Sequence, residues 1–507
     1  MSILSNTHFF FIGVGGAGMS AIAQYLSGSG KQVRGSDRLF ASAENDYIRQ
    51  QLEREGIECF LQDGSGIDAH TEAVIVSTAI EDTNVEVAKA KSMGIPIILR
   101  ADLLAAICES RPTVAIAGTS GKSTVTAMLF HILHTCGLGP SLITGAGLAS
   151  LQEDGRIGNA FVGEGKWLLI EADESDGTLV KYKPQIGLLL SIDKDHKELD
   201  ELHGIFRTFR SHTLTHFVTN RSHALAAAYS THEGKDFGDG TRFEGRNFAQ
   251  EGFSISFDVA DAQTDSGSFV HVVMPTIGRH NMENALACMA VADLLGVSVE
   301  DSARALSTYA GIYRRHQCLG EAGGITVIDD YAHNPAKIAA SVRACQPVAP
   351  KLLAWFQPHG YGPTRFIRRE LVEEIAAALR PDDEIWMSEI YYAGGTAVKD
   401  ISAADLIADL QAKGVKAYFV ADRKELFEQL VPTLSSGTVL LLMGARDPGL
   451  EKFGREVMAM VRQARHRHLL LKRDTVLWRY EVHRFRPCAG HLPFFLRHRR
   501  SETGHGI

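Results

Sequence analysis

Apolar and polar positions along this chain fall into one repeating pattern: short runs rich in Val, Ile, Leu and Phe, each followed by a longer stretch with helical spacing of its apolar residues. The pattern predicts strands at 9–14, 32–37, 74–78 and 95–99, the first feeding directly into a helix that ends near residue 27. It restarts at 112–117, with a helix over 125–133 and strands at 167–170 and 186–192. It restarts once more at 325–328, with strands at 352–356, 384–387, 416–420 and 439–443. Strands alternating with helices imply parallel sheets covered on both faces, so the expected fold class is α/β. The three starts predict three domains, over 1–107, 108–310 and 311–462. Residues 230–275 break the alternation; rich in Gly, Asp and Thr, with a short strand at 253–257, they read as a peripheral hairpin excursion without nameable chemistry.

The chemistry gathers at the strand ends. Gly13, Gly15, Gly16, Ala17, Gly18 and Met19 form a G-x-G-x-x-G turn between the first strand and its helix. Such a turn lets a diphosphate approach the backbone at a helix N-terminus. Ser36 and Asp37 end the second strand, where an acid meets a ribose or base edge, and Ser77 and Thr78 end the third. Alone, the turn suggests NAD or FAD, but it reports only a nucleotide bearing a diphosphate. The second domain opens on Gly118-Thr119-Ser120-Gly121-Lys122-Ser123-Thr124, a shortened phosphate loop at another strand-to-helix turn. Lys122 offers a point charge to β- and γ-phosphates, and the Ser123 hydroxyl is a ligand for Mg²⁺. This cradle disfavours a dinucleotide oxidoreductase.

Two acidic clusters follow at successive strand ends: 171–176, which includes Glu171, and 193–196, which includes His196. Hard oxygen donors beside a phosphate loop suit Mg²⁺. Asn281 and Asn284, three apart on a predicted helix, share a face and can read a base edge, with helix capping the competing role for Asn281. The third domain presents Arg314 and Arg315 before its first strand, and Asp330, Tyr331 and His333 after it.

Composition narrows the class without choosing the chemistry. The chain has 507 residues, 45% hydrophobic and 22% charged, as in an ordinary globular protein. Its net charge of −8 argues against a nucleic-acid or membrane-surface binder. Seven scattered cysteines without a C-x-x-C pair suit reduced thiols, hence a cytoplasmic protein. No apolar run is long enough to span a bilayer. The stretch 463–507 is strongly basic and reads as a poorly ordered appendage.

With these motifs in place the chain resembles the Mur ligase family of peptidoglycan synthesis. The matching segments run in the family's order over residues 8–450: 15–19, 118–124, 171–176, Asp195-His196, 280–287, Arg314-Arg315, 330–333 and Phe356-Gln357-Pro358-His359. Within the family, the Glu-Ala-Asp-Glu-Ser-Asp run is most like the branch that adds the first amino acid, L-alanine. The resemblance implies a Rossmann-like UDP-binding domain, a central P-loop-type ATPase domain and a Rossmann-like C-terminal domain. It turns the first glycine site into a holder for UDP-N-acetylmuramate. It also implies that ATP phosphorylates the muramoyl carboxylate and that an amino acid displaces the phosphate.

Matched position by position, Lys122, His196, His333, Arg314 and Arg315 are the catalytic candidates. Ser123, Glu171 and His196 are the metal ligands, Asn281 and Asn284 face adenine, and Asp330 faces the ribose. The implied partners are small molecules only, with the chain a monomer or homodimer. Three departures stand out: Ser120 and Ser123 replace a His and a Thr, Ala332 and Asn334 interrupt a Gly-His-His pattern, and Gly360 and Pro363 stand where the alanine-adding branch has arginines for the acceptor carboxylate. A muropeptide acceptor, or an inactive nucleotide sensor on the same fold, are the alternatives.

Overall fold

The computed structural model describes residues 3–464 apart from 43–45, 153–154, 176, 194–196, 261–268, 393–397 and 448. The expectations for His196, for Asp176 and for the basic extension beyond 464 therefore lie outside the described residues.

The first sheet holds β1 (His8–Ile12), β2 (Gln32–Ser36), β3 (Ile57–Phe60), β4 (Ala73–Val76) and β5 (Ile97–Leu99) in the order β3-β2-β1-β4-β5. All its pairings are parallel. β1 is central, and Phe9 to Ile12 along it are buried, which is why this strand lacks polar alternation. The second sheet contains β6 (Thr113–Ala117), β7 (Ser141–Ile143), β8 (Ala160–Phe161), β9 (Leu168–Glu171), β10 (Ile186–Leu189) and β11 (His216–Thr219), ordered β11-β10-β6-β9-β7-β8. β8 alone runs antiparallel there. The expected excursion is a three-stranded antiparallel sheet of β12 (Gly245–Glu251), β13 (Ser254–Ala260) and β14 (Phe269–Met274). The third large sheet, hereafter the third sheet, is β15-β16-β20-β17-β18-β19 and comprises β15 (Gln317–Ala322), β16 (Ile325–Asp330), β17 (Lys351–Gln357), β18 (Glu384–Ser388), β19 (Lys416–Val420) and β20 (Thr438–Gly444). The α/β class is thus the observed one, and in each large sheet the motif-bearing strand is interior. Ligands of open parallel sheets bind beyond the carboxyl ends of such strands.

The first two sheets share a core. One apolar cluster runs from Phe9, Ile22 and Leu104 through Ala115 and Leu168 to Phe206. A buried polar knot crosses the same boundary. Asn159, 2% exposed, donates to the Ala17 carbonyl at 3.0 Å and to Ser20 Oγ at 3.1 Å, and accepts from Gln24 Nε2 at 2.7 Å. All three partners lie on the Ala17–Gly28 helix that follows the first glycine turn, so the knot holds that turn at a set distance from the phosphate loop. Asn159→Ala removes three hydrogen bonds and leaves buried partners unpaired, an expected loss of about 1–3 kcal/mol in urea denaturation. An unchanged midpoint would mean the apolar cluster alone carries the joint.

Candidate active site

The first glycine turn is braced from within. Gly13 and Val14 donate to the Ser36 carbonyl at 2.8 and 3.0 Å, and Asp37 accepts from Gly15 N at 2.9 Å and Leu39 N at 3.0 Å. Ser36 Oγ is held by the buried Glu86. Asp37, expected to meet a ribose, is therefore engaged in shaping the turn, and Ser36 points into the domain. Ser77 and Thr78 lie just past β4, outside the strand predicted to contain them.

The phosphate loop leaves β6 and enters a helix that starts at Lys122, earlier than the apolar pattern suggested, so Lys122 and Ser123 occupy its first turn. Gly118 at φ +135° and Gly121 at φ +87° take conformations closed to other residues. At Gly121 a Cβ would come within 2.9 Å of Asn284 Oδ1, so glycine also lets the neighbouring helix approach. Ser120 N donates to Ser191 Oγ at 3.0 Å, and Thr119 exchanges hydrogen bonds with Asp193, tying the loop to the end of β10.

Three carboxylates surround the loop's polar side chains. Lys122 Nζ donates to Glu174 at 2.6 Å and to the Gly118 carbonyl at 2.8 Å, with Asp173 at 3.7 Å. Burial opposes its charge, yet Glu174, Asp173 and Glu171 outweigh it and hold the ammonium above the ordinary lysine value. Ser123 Oγ donates to Glu171 at 2.9 Å, and Thr144 Oγ1 and Gly145 N also donate to Glu171 at 2.9 Å. Among the described residues no three His, Cys, Asp or Glu converge as a ready cation cage. Ser123 and Glu171 do pair hard oxygen atoms beside the phosphate loop, a donor set that fits Mg²⁺.

A cavity of about 320 Å³ opens between this loop and the third sheet. Ser120, Gly121 and Thr124 form its phosphate-loop wall, and His280, Asn281 and Asn284 a second wall. Asn281 is not a cap: the Arg279–Leu294 helix is capped by Gly278. Asn281 Nδ2 donates to Thr276 Oγ1 at 3.0 Å and the Ile277 carbonyl at 2.8 Å, while its Oδ1 accepts from Asn284 at 3.1 Å. The third wall is Arg315, His316 and Asp330.

Arg314 is not brought to the cavity. Its guanidinium is buried, bonded to Asp329 at 2.8 and 3.2 Å and to the Gly444 carbonyl at 3.0 Å, so its role is to tie β16 to β20. Arg315 lies over the Tyr331 ring at 5.1 Å and faces the cavity. Asp330 accepts from His316 N and Ala332 N, both at 2.8 Å. His316 was not singled out in sequence. Its Nε2 lies 2.8 Å from Ser341 Oγ and its ring 5.5 Å from that of His280. Glu174 and Asn159 were likewise unmarked as site residues, although Glu174 lay within a motif already noted.

At the far end of β17, His359 and His333 bring their rings to 5.8 Å. His333 Nδ1 donates to the Tyr331 carbonyl at 2.9 Å, which leaves Nε2 as the basic atom. Burial, with Lys337 nearby, lowers its pKa to about 3. Gly360 sits at φ +72°, and a Cβ there would meet the Pro363 ring at 3.3 Å. The two departures at 360 and 363 are thus one structural unit: a proline in the first turn of the Tyr361–Ala378 helix beside a glycine-only position.

Fold and cavity together define a three-domain nucleotide-binding α/β protein. The chain belongs to the Mur ligase family: residues 8–111 match its catalytic domain, 116–292 the Mur ligase middle domain and 314–446 the glutamate ligase domain. It is 32% identical over 455 residues to the UDP-N-acetylmuramate–L-alanine ligase of Rhizobium etli, covering 86% of this chain and 93% of that one. It is 34% identical to the ligase of the same name from Geotalea daltonii, covering 90% and 98%. Among solved structures, the UDP-N-acetylmuramate-alanine ligase of Thermotoga maritima superposes with a TM-score of 0.74 at 24% identity, covering 90% and 99%. A murein peptide ligase from Psychrobacter arcticus reaches 0.62 at 20% identity, with the same coverage.

Two measurements check the geometry. Arg314→Ala strands Asp329 in the core and is expected to cost about 3–5 kcal/mol of stability, whereas Arg315→Ala changes stability by about 0.5 kcal/mol or less and weakens ATP binding in calorimetry. Equal thermal losses for both would contradict the assignment. The second concerns pH: burial and the neighbouring His316 lower the His280 pKa to about 4. The neutral form is therefore favoured on folding, and this stability is full above the unfolded value of about 6.5 and lost as pH falls toward 4. His280→Asn should flatten the fall in thermal midpoint across that window; an unaltered slope would contradict it.

Proposed function

We propose that this chain is a cytoplasmic, ATP-dependent ligase that joins L-alanine to the muramoyl carboxylate of UDP-N-acetylmuramate in peptidoglycan precursor synthesis. The observation that carries the reading is the cavity walled jointly by the phosphate loop, the Asn281–Asn284 face and the Asp330 strand end. It has the size and donor set for a nucleoside triphosphate. The likeness to alanine-adding relatives over most of both chains supports the choice of substrates. Among the described residues no helix is long and apolar enough to cross a membrane.

In this scheme Asn284, oriented by Asn281, reads adenine, Asp330 holds the ribose, and the 118–124 loop with Lys122 and Arg315 holds the phosphates. The glycine turn at 13–18 holds the UDP diphosphate. Mg²⁺, held by Ser123, Glu171 and, by family likeness, His196, would supply the charge neutralisation that lets a carboxylate approach the γ-phosphate. A muramoyl carboxylate oxygen attacks the γ-phosphorus, ADP leaves, and an acyl phosphate results. The amine of the acceptor attacks the acyl carbon, and the tetrahedral intermediate collapses to amide and inorganic phosphate. By family likeness His333 lies near this centre, where its neutral Nε2 accepts a hydrogen bond from the amine; the proton the amine sheds leaves on the phosphate, because a ring with a pKa of about 3 is too weak a base to keep it. The scheme needs one chain, as a monomer or within a homodimer.

The Gly360–Pro363 unit favours a second reading for the acceptor alone, since glycine cannot replace a guanidinium on a carboxylate. An acceptor screen decides: ADP release in the presence of ATP and UDP-N-acetylmuramate should rise with L-alanine and vanish in Lys122→Ala. Stimulation by a muropeptide and not by L-alanine would move the chain to the recycling reaction. No stimulation by any amino acid or peptide would leave a nucleotide sensor.

A further inference from the structure

The ammonium expected to meet the ATP phosphates is already taken. Lys122 Nζ is 2.6 Å from Glu174, and the two side chains are 12% and 5% exposed, so the pair is nearly dry. The other acids of the cluster have separate duties. Glu171 accepts from Ser123, Thr144 and Gly145, and Asp173 is half-exposed and accepts from Ser175 N at 3.0 Å. Glu174 is the acid whose hydrogen-bond partner among the described residues is Lys122. Burial lifts its carboxyl above the ordinary value against the pull of that ammonium, so little else stabilises its charge.

A triphosphate in the cradle would bring up to four negative charges against this pair. Lys122 has a donor to spare, since one goes to Gly118 and one to Glu174. The obstacle is the Glu174 charge itself, which would lie within a few ångströms of the phosphate oxygens in a weakly screened site. We infer that Glu174 is a positioning residue that parks Lys122 in the empty site and must yield it to ATP, so that the Lys122–Glu174 bridge competes directly with nucleotide binding. The inference rests on the ATP reading of the cavity. The parked state also has a use. A buried lysine left without a counter-charge is costly, and the bridge lets the phosphate loop keep its folded form without a ligand.

The test is calorimetry of ATP, with ADP as a second probe, on the wild-type chain, Glu174→Gln and Glu174→Asp, with UDP-N-acetylmuramate titrated separately. Glu174→Gln keeps shape and a hydrogen-bond acceptor for Lys122 but removes the competing charge. It should bind ATP about tenfold tighter, equivalent to about 1.4 kcal/mol, with the UDP-sugar affinity unchanged. KM for ATP should fall with it, and Glu174→Asp, which keeps the charge but loosens the bridge, should fall between the wild-type chain and Glu174→Gln, an order that a merely structural role would not produce. Unchanged or weaker ATP binding by a folded Glu174→Gln overturns the competition. If Glu174→Gln does not fold, the comparison passes to Glu174→Asp, whose shorter side chain loosens the bridge and should then tighten ATP several-fold; no gain overturns the inference. ATP failing to bind the wild-type chain at all removes the nucleotide reading on which it stands.

Discussion

One buried ammonium governs the arrangement of this molecule. Lys122 lies within 4 Å of Glu174 and Asp173, and Glu171 stands one side chain away on Ser123. An excess of acid over base around a phosphate loop is stable only while the loop is empty or while added cations balance it. The chemistry proposed for the site needs two more anions, a carboxylate and a triphosphate, at the same place. Each surrounding element either supplies positive charge or fixes a distance. Arg315 enters from the third sheet, and the Asn159 knot holds the first glycine turn at the other side. The shared apolar cluster beneath makes the first two sheets a single platform, which ties the first glycine turn to the phosphate loop.

How much of this could be read from the sequence depended on whether a residue's role was local. The two glycine turns were legible because positive φ and a helix N-terminus leave a spacing that side chains cannot imitate. The strands were legible because interior strands of parallel sheets are continuously apolar. Arg314 and Arg315 were not separable, since adjacent basic residues carry no sign of which one the backbone turns inward. Arg314 has φ +54° and both arginines lie over the Tyr331 ring, but the Arg314 guanidinium is taken by Asp329 while Arg315 faces the cavity. Asn159 was illegible for the same kind of reason: it lies in an irregular stretch before β8, and its three partners are about 135–142 residues away in sequence. Asp37 was legible in position and misread in role, because an acid at the end of β2 satisfies the turn's own N–H groups as readily as a ribose hydroxyl.

The segment after β17 departs from the alanine-adding pattern as a unit. Gly360 donates its N–H to the Tyr391 carbonyl and Tyr391 donates to the Pro358 carbonyl, so the chain after β17 is stitched to the segment after β18. With φ +72° required at 360 and a proline ring against it, an arginine restored at that position would meet backbone strain of about 1–3 kcal/mol before it met a ligand. The same stretch carries Lys399 over the Tyr361 and Tyr392 rings, at 5.8 and 5.2 Å. Positive charge is therefore present near the departure on a different segment.

The junction between the central and third sheets shows how strain is used to aim that potential. Gly311, Arg314 and His316 all have positive φ within six residues, and two of them are not glycine. Such a run is costly in isolation, by about 1–3 kcal/mol for each non-glycine residue. It persists because consecutive residues of β16 point to opposite faces and each catches one strained partner. Asp329 takes the Arg314 guanidinium below the sheet end, and Asp330 takes the His316 amide on the cavity side. Two aspartates in sequence thus lock the linker in one shape, and that shape decides which arginine reaches the nucleotide cavity and how far the third sheet stands from Lys122. The contacts that offset the strain are the same ones that orient the site, so relaxing either aspartate would loosen the linker and misplace Arg315 in a single step.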